Sequence, residues 1–159
     1  MQEPEKRASG VTHVWRPTTA RIVVAEDDRA LRADVIAQLL DDGHDVYGAS
    51  SASGLLRLLA AGGSTIPPLD GADLIVLDQD LPGMSGIEII RRMRLARSKI
   101  PFLLLAGLPT SELLREAKQL QARVLAKPFT LWDLSNSALL AMMTKLSKAG
   151  EQQPLAAAG

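Results

Sequence analysis

The chain has 159 residues, of which 47% are hydrophobic and 23% charged, and 18 lysines and arginines balance 18 aspartates and glutamates. This is an ordinary soluble composition, and the zero net charge gives no global field toward nucleic acid or an anionic membrane. The absence of cysteine excludes disulfides, thiolate zinc sites and cysteine nucleophiles. No apolar run approaches the roughly 18 residues of a membrane span, and the first twenty residues lack the apolar core of a secretory signal.

Short apolar runs alternate along the chain with stretches whose apolar residues recur at helical spacing. The predicted strands RIVVA, DVYGA, DLIVLD, PFLLLA and RVLA begin at residues 21, 45, 73, 101 and 123. The predicted helices lie within 26–43, 51–63, 85–97, 110–121 and 130–148, and a loop is expected at 64–72. The polar, aperiodic ends predict one folded unit at 20–147, between a flexible extension at 1–19 and a tail at 148–159.

Five strands alternating with five helices predict an α/β fold with helices on both faces of a five-stranded parallel sheet. Right-handed crossovers make such a fold doubly wound. We expect Asp28 to cap the first helix and Thr130 to form a capping box with Asp133 on the last. Ligands of these sheets bind beyond the carboxyl ends of the strands, so the residues just after each strand are the candidate site.

Charged residues collect at these strand ends. The positions concerned are Glu26, Asp27 and Asp28 after the first strand, Asp78 after the third, Ala106 and Gly107 after the fourth, and Lys127 after the fifth. Convergent acids repel and raise one another's pKa unless a cation is bound between them. Mg²⁺ favours carboxylates, waters and phosphate oxygens, and a lysine beside it can contact a phosphate oxygen.

Three motifs carry these residues in a specific order. VVAEDD contains Glu26 and Asp27, VLDQDLPGMSG contains Asp78, and AKPFT contains Lys127. Together they resemble the receiver domain of two-component response regulators over nearly all of residues 20–147. The resemblance implies the flavodoxin-like receiver fold, in an atypical single-domain form.

The resemblance also implies a chemistry for the site. Asp78 would accept a phosphoryl group from phosphohistidine on a histidine kinase or phosphotransfer protein, a case of nucleophilic carboxylate catalysis. Asp27 and Asp78 would bind Mg²⁺ or Mn²⁺ directly, Glu26 would act nearby through water, and Asp80 would supply its backbone carbonyl. The protein would promote its own phosphorylation and dephosphorylation without being a conventional turnover enzyme.

The family pattern is also kept at Pro128, after Lys127, but it is broken at Ala106 and Val124. Lys127 would lie over the phosphoryl group, on a cis peptide bond to Pro128. Ala106 stands where the family has the threonine or serine that contacts the phosphoryl group, which leaves the Gly107 amide as a donor. Val124 stands where the family commonly has an aromatic switch residue. These losses favour a phosphate relay or sink over an ordinary output switch.

Each part of the site also has a structural interpretation. The three acids could be helix N-terminal residues, and Lys127 could be a surface lysine. Gly83 and Gly86 could be a loop glycine and a helix-start glycine, and for these two residues we prefer the structural interpretation.

Two other functions compete with the receiver interpretation. A haloacid dehalogenase phosphatase would place its nucleophile on the first strand, whereas here the acidic pair comes first. A non-phosphorylated pseudo-receiver that only binds a protein is favoured by the two substitutions and opposed by the retained acids.

The expected setting of the protein follows from the resemblance. About a dozen residues follow the last helix, too few for a helix-turn-helix reader, so we expect no direct contact with nucleic acid, no membrane and a cytoplasmic location. Trp132, Leu139 and Met142–Met143 are interpreted as core residues. The alternative is a homodimer through the fourth helix, fifth strand and fifth helix.

Overall fold

The computed structural model describes residues 19–60 and 72–150, with side chains up to Thr144. Its strands are β1 Arg21–Ala25, β2 Asp45–Ala49, β3 Leu74–Asp78, β4 Phe102–Ala106 and β5 Arg123–Ala126. Its helices are α1 Arg29–Asp41, α2 Ala52–Ala60, α3 Gly86–Leu95, α4 Ser111–Gln119 and α5 Leu131–Gly150. The predicted extension up to residue 18, the segment 61–71 and the tail from 151 lie outside the described residues. No helix in the described part is long and apolar enough to cross a membrane.

The five strands form one sheet in the order β2-β1-β3-β4-β5, and every neighbouring pair is parallel. β3 and β4 are buried along their whole length, which explains their continuous apolar runs. The predicted doubly wound fold is therefore confirmed. All five strands end at the same edge, so the residues that follow β1, β3, β4 and β5 meet there.

The core lies in two layers, one on each face of the sheet. The layer that includes Val23, Ile75 and Leu104 packs against α2, α3 and α4. The layer that includes Val24 and Val76 packs against α1 and α5. Since alternate strand residues point to opposite faces, each strand contributes to both layers and the sheet is held rigidly between them.

The helix ends follow the expected capping chemistry. The Asp28 carboxylate accepts a hydrogen bond from the Leu31 amide at 2.9 Å, at the start of α1. At the start of α5, the Thr130 hydroxyl accepts from the Asp133 amide at 3.1 Å, and the Asp133 carboxylate accepts from the Thr130 amide at 3.0 Å. The hydrogen bond from the Thr130 amide, with a second one from the Thr130 hydroxyl, holds the pKa of Asp133 below its usual value.

Arg94 joins three segments at the edge opposite the strand carboxyl ends. Its guanidinium donates to the carbonyls of Leu120, Ser98 and Ile100 at 2.8–2.9 Å, and it lies 4.9 Å from the centre of the Phe102 ring. Leu120 caps the carboxyl end of α4, so Arg94 fixes that end of α4 against α3 and the start of β4. Burial lowers the pKa of Arg94.

The core interpretation of the large apolar residues on α5 is wrong for three of the four. Trp132 is 72% exposed, and Leu139 and Met143 are also exposed. Met142 packs against the core layer of α1 and α5 as expected. Leu134, Ala138 and Ala141 supply the buried stripe instead, because they recur at spacings of three and four residues.

Candidate functional site

The end of β1 places one acid inside the protein and the next outside it. The Glu26 amide donates to the Ala49 carbonyl at 3.1 Å, which continues the hydrogen-bond ladder between β1 and β2 by one residue. The Glu26 residue is completely buried. The Arg32 guanidinium donates to the Glu26 carbonyl at 2.7 Å and so fixes the turn into α1. Asp27 is exposed, because the chain has left the sheet by that residue.

β3 carries Asp78 to the same edge at the centre of the sheet. Asp78 lies opposite Leu105 of β4 and is only 2% exposed. The next amide, of Gln79, donates to the Leu105 carbonyl at 2.8 Å, and the Gln79 side chain accepts from the Ile87 amide at 3.0 Å. The Asp78 carboxylate is therefore held at the end of a buried strand, on a loop fastened to both β4 and α3.

Lys127 connects the two buried acids. Its amide donates to the Ala106 carbonyl at 2.8 Å, and its peptide bond to Pro128 is cis, as the resemblance implied. Its ammonium group donates to a carboxylate oxygen of Asp78 at 2.9 Å and to one of Glu26 at 3.0 Å. One lysine thus bridges the ends of the first and third strands from the end of the fifth.

The acids fit a divalent cation. Glu26, Asp27 and Asp78 each offer a carboxylate oxygen, and these atoms lie within 4.8 Å of one another. In the described ranges, this is the only group of three potential metal ligands. Clustered carboxylate oxygens open to water at Asp27 are the donor set that Mg²⁺ prefers. The second oxygen of Glu26 accepts from the Asp28 amide at 3.1 Å, so Glu26 is the most fully occupied of the three.

Burial and the hydrogen bonds of Lys127 shift the pKa of both Glu26 and Lys127. Burial raises the pKa of Glu26, although the hydrogen bond from Lys127 acts in the opposite direction. Burial alone would lower the pKa of Lys127, but its hydrogen bonds to Asp78 and Glu26 outweigh burial and raise it. Three acids face a single lysine, so the site keeps an excess of negative charge that a bound cation would balance.

The two positions that break the family pattern lie beside this cluster. Ala106 is buried at the end of β4, and Gly107 is exposed next to it. Both line a groove of about 320 Å³ together with Gln79 and Asp80. Val124 is half-buried on β5 and packs against the core layer of α2, α3 and α4. Neither Ala106 nor Val124 has a hydroxyl, and neither has a ring.

Gly86 has a larger role than a helix-start glycine. A β-carbon at this position would lie 2.6 Å from the Asp78 carbonyl oxygen and 2.6 Å from a methyl group of Leu104. The absence of a side chain lets α3 begin directly against the loop that holds Asp78. Gly83 is a turn residue as expected, with a φ of +92°.

Arg32 is a site residue that the sequence analysis does not identify. Its sequence context carries no signal for its hydrogen bond to the Glu26 carbonyl.

The family model described as "Response regulator receiver domain" matches residues 22–138 of the chain. The chain belongs to this family. The receiver domain is 33% identical over 88 residues to the cell cycle response regulator CtrA of Brucella ovis, with the match covering 55% of this chain and 34% of CtrA. CtrA of Brucella anthropi matches with the same figures. The chain thus spans about a third of the length of these curated relatives.

Solved structures agree with this assignment. A response regulator receiver domain protein from Clostridium thermocellum is 25% identical, with a TM-score of 0.70 over 81% of this chain and 98% of that chain. NtrX from Brucella abortus is 23% identical, with a TM-score of 0.72 over 89% of this chain and 32% of that chain, and shows the shared fold. The matching family is the receiver domain and not the haloacid dehalogenase phosphatases of the alternative interpretation.

Proposed function

We propose that this receiver domain accepts a phosphoryl group on Asp78 from a phosphohistidine donor, a histidine kinase or phosphotransfer protein. The bridge from Lys127 to Asp78 and Glu26, beside the third carboxylate of Asp27, is the observation that carries this proposal. A cluster that keeps mutually repelling acids around one buried aspartate suits phosphoryl transfer, because positioned charges supply most of its catalysis.

The transfer uses the residues as they stand. A carboxylate oxygen of Asp78 attacks phosphorus, a P–O bond forms, the P–N bond to the donor histidine breaks, and the imidazole leaves with its electron pair. Lys127 is already within hydrogen-bond distance of Asp78, so its ammonium group can follow the charge onto a phosphoryl oxygen. Asp27, Asp78 and the Asp80 carbonyl would hold Mg²⁺, with Glu26 nearby, and a bound Mg²⁺ would neutralise phosphoryl charge.

Phosphorylation should require the metal site. Wild-type protein incubated with acetyl phosphate is expected to gain the mass of one phosphoryl group with Mg²⁺ present and none with a chelator. Replacing Asp27 with Asn should slow the gain by at least about 10-fold, because losing a direct ligand should cost no less than losing an outer-shell partner. The matched control is Asp34→Asn, which removes an exposed carboxylate on α1 away from the cluster. Equal rates for Asp27→Asn and wild type would contradict the metal assignment.

The signalling output follows from Ala106 and Val124. Ala106 cannot hydrogen-bond a phosphoryl oxygen, and Val124 cannot move a ring into vacated space, so we propose a relay or sink. Beryllofluoride, which mimics the phosphoryl group, is expected to shift the amide resonances of Gln79 and Gly107 and to leave α4, β5 and α5 nearly unchanged. The double variant Ala106→Thr with Val124→Tyr restores both parts and should extend the shifts into α4.

Large amide shifts across α4 and α5 of the wild type after addition of beryllofluoride, with a new dimer in solution, would contradict the relay.

A second candidate function is a pseudo-receiver that binds a protein without being phosphorylated. The loss of the usual residues at Ala106 and Val124 favours it. Absence of any mass gain with acetyl phosphate and Mg²⁺ would select this candidate, since Asp78 would then not be an acceptor.

A further inference from the structure

The first amides of α3 find their hydrogen-bond acceptors outside the helix, on Gln79. The amide of Gly86 donates to the Gln79 carbonyl at 2.9 Å, and the amide of Ile87 donates to the Gln79 side-chain oxygen at 3.0 Å. The first four N–H groups of a helix have no partner within the helix, so one residue of the preceding loop satisfies two of them here. The side chain of Gln79 thereby acts as a cap for α3.

The cap that the sequence of α3 itself offers is not used. Ser85 stands at the N-cap position in an extended conformation, and Glu88 follows it at the spacing of a capping box. The Ser85 side chain nevertheless makes no capping hydrogen bond, and the Glu88 carboxylate pairs with two arginines of the same helix. The Ile87 amide, from which an N-cap side chain ordinarily accepts, is bound by Gln79 instead. The helix thus begins on a contact with the loop that follows β3.

Gln79 lies between the two residues on which the proposed chemistry depends. Asp78 precedes it with the carboxylate that would take the phosphoryl group, and Asp80 follows it with the carbonyl that would bind Mg²⁺. The Gln79 amide donates to the Leu105 carbonyl at 2.8 Å, so β4 holds this residue from one side while α3 holds it from the other. The carbonyl contact with α3 fixes one point of the segment, and the side-chain contact adds a second point that fixes its orientation.

The orientation of this short segment matters because both of its ends would bind the same ion. Mg²⁺ demands near-ideal octahedral geometry, so it tolerates misplaced oxygens poorly. A displacement of about 1 Å at a reacting group can cost about 100-fold in rate. α3 is close enough to act as the support, since a β-carbon at Gly86 would lie only 3.1 Å from the α-carbon of Gln79.

We propose that the Gln79 side chain is a positioning residue for the metal and phosphoryl site. By accepting from the Ile87 amide, it holds residues 78–80 on the first turn of α3, so that the Asp78 carboxylate and the Asp80 carbonyl face one ion. The inference rests on the proposed phosphorylation of Asp78 and adds to it a residue that acts through its neighbours. The alternative is that Gln79 only caps α3, in which case its loss would lower stability without a specific effect on the metal.

Gln79→Met tests the proposal, since methionine has a similar length but no oxygen to accept from the Ile87 amide. We expect the Kd for Mg²⁺, measured by calorimetry on the unphosphorylated chain, to rise by about 10-fold, the lower end of losses for groups just outside a metal site. The rate of mass gain with acetyl phosphate at limiting Mg²⁺ should fall by a similar factor. Gln119→Met, which replaces an exposed glutamine at the end of α4, is the matched control and should change neither quantity.

Ser85→Asp separates positioning from capping. Aspartate at the N-cap position can accept from the Ile87 amide, so it restores the cap of α3 without restoring the link to the loop. Gln79→Met combined with Ser85→Asp should melt at the temperature of Ser85→Asp alone and still bind Mg²⁺ about 10-fold more weakly than that variant. This pair shares the added charge, so the charge cancels from the comparison. The pair also replaces the single variant if Gln79→Met does not fold by circular dichroism.

Equal Kd values for Mg²⁺ within this pair would overturn the proposal and leave Gln79 as a cap alone. No binding of Mg²⁺ by the wild type would overturn it as well, since there would be no metal site to position. A wild type that binds Mg²⁺ but gains no mass with acetyl phosphate would contradict only the proposed phosphorylation. Weaker Mg²⁺ binding after loss of the Gln79 side chain would then still support its positioning role.

Discussion

Replacing Asp78 with Asn is expected to abolish phosphorylation completely. The amide oxygen of asparagine still accepts the hydrogen bond from Lys127, but the amide is too poor a nucleophile to attack phosphorus. Intact mass measured after exposure to acetyl phosphate and Mg²⁺, or to a phosphorylated donor protein, should stay that of the unmodified chain. The fold should persist, since the substitution removes one of three carboxylates that repel one another around a single lysine.

The matched control is Asp45→Asn, which removes an exposed carboxylate at the start of β2 and should be phosphorylated like wild type. Thermal unfolding separates loss of chemistry from loss of fold, because Asp78→Asn should melt at the same temperature as wild type or higher. A phosphoryl group mapped by peptide mass to any other residue of the wild-type chain would remove Asp78 from its assigned role.

Replacing the half-buried Arg94 with Met should destabilise the fold strongly. Methionine retains the apolar stem but leaves the carbonyls of Ser98, Ile100 and Leu120 without their donor. Hydrogen bonds from a charged group contribute about 1.5–3 kcal/mol each, with water recovering part of that sum. We therefore expect the free energy of unfolding, from urea titration, to fall by about 2–4 kcal/mol.

Arg92→Met serves as the comparison on the same helix. Arg92 is exposed and pairs with Glu88 alone, so its loss should cost at most about 1 kcal/mol. Similar losses for the two variants would mean that the carbonyls around Arg94 are satisfied by water, and that Arg94 does not fasten α4.

The order of the ten elements was predictable because strands and helices differ in hydrophobic period. The buried runs of β3 and β4 and the apolar spacing along α3 leave little ambiguity. The helix ends were harder, and α3 begins at Gly86 and ends at Leu95, inside the predicted 85–97, because capping and loop residues share the helical pattern.

The meeting of Glu26, Asp78 and Lys127 was predictable from topology, since parallel strands end at one edge. The particular hydrogen bonds were not, because two acids compete for one lysine and side-chain placement decides between them. Sequence patterns also gave no sign of the carbonyl contacts of Arg94 or the tight packing at Gly86. The helical period on α5 did not separate the buried Leu134 from the exposed Trp132.

The ammonium group of Lys127 reaches Glu26 across 101 residues of chain and Asp78 across 49. Closing loops of this length costs chain entropy, and the Lys127 bridge cannot form before β5 has joined the sheet. During synthesis, which proceeds from the amino terminus, Asp78 emerges well before the lysine that holds it. A nascent receiver should therefore lack this bridge until its last strand has docked, so the phosphoryl transfer proposed for Asp78 would begin only once the whole domain has been made.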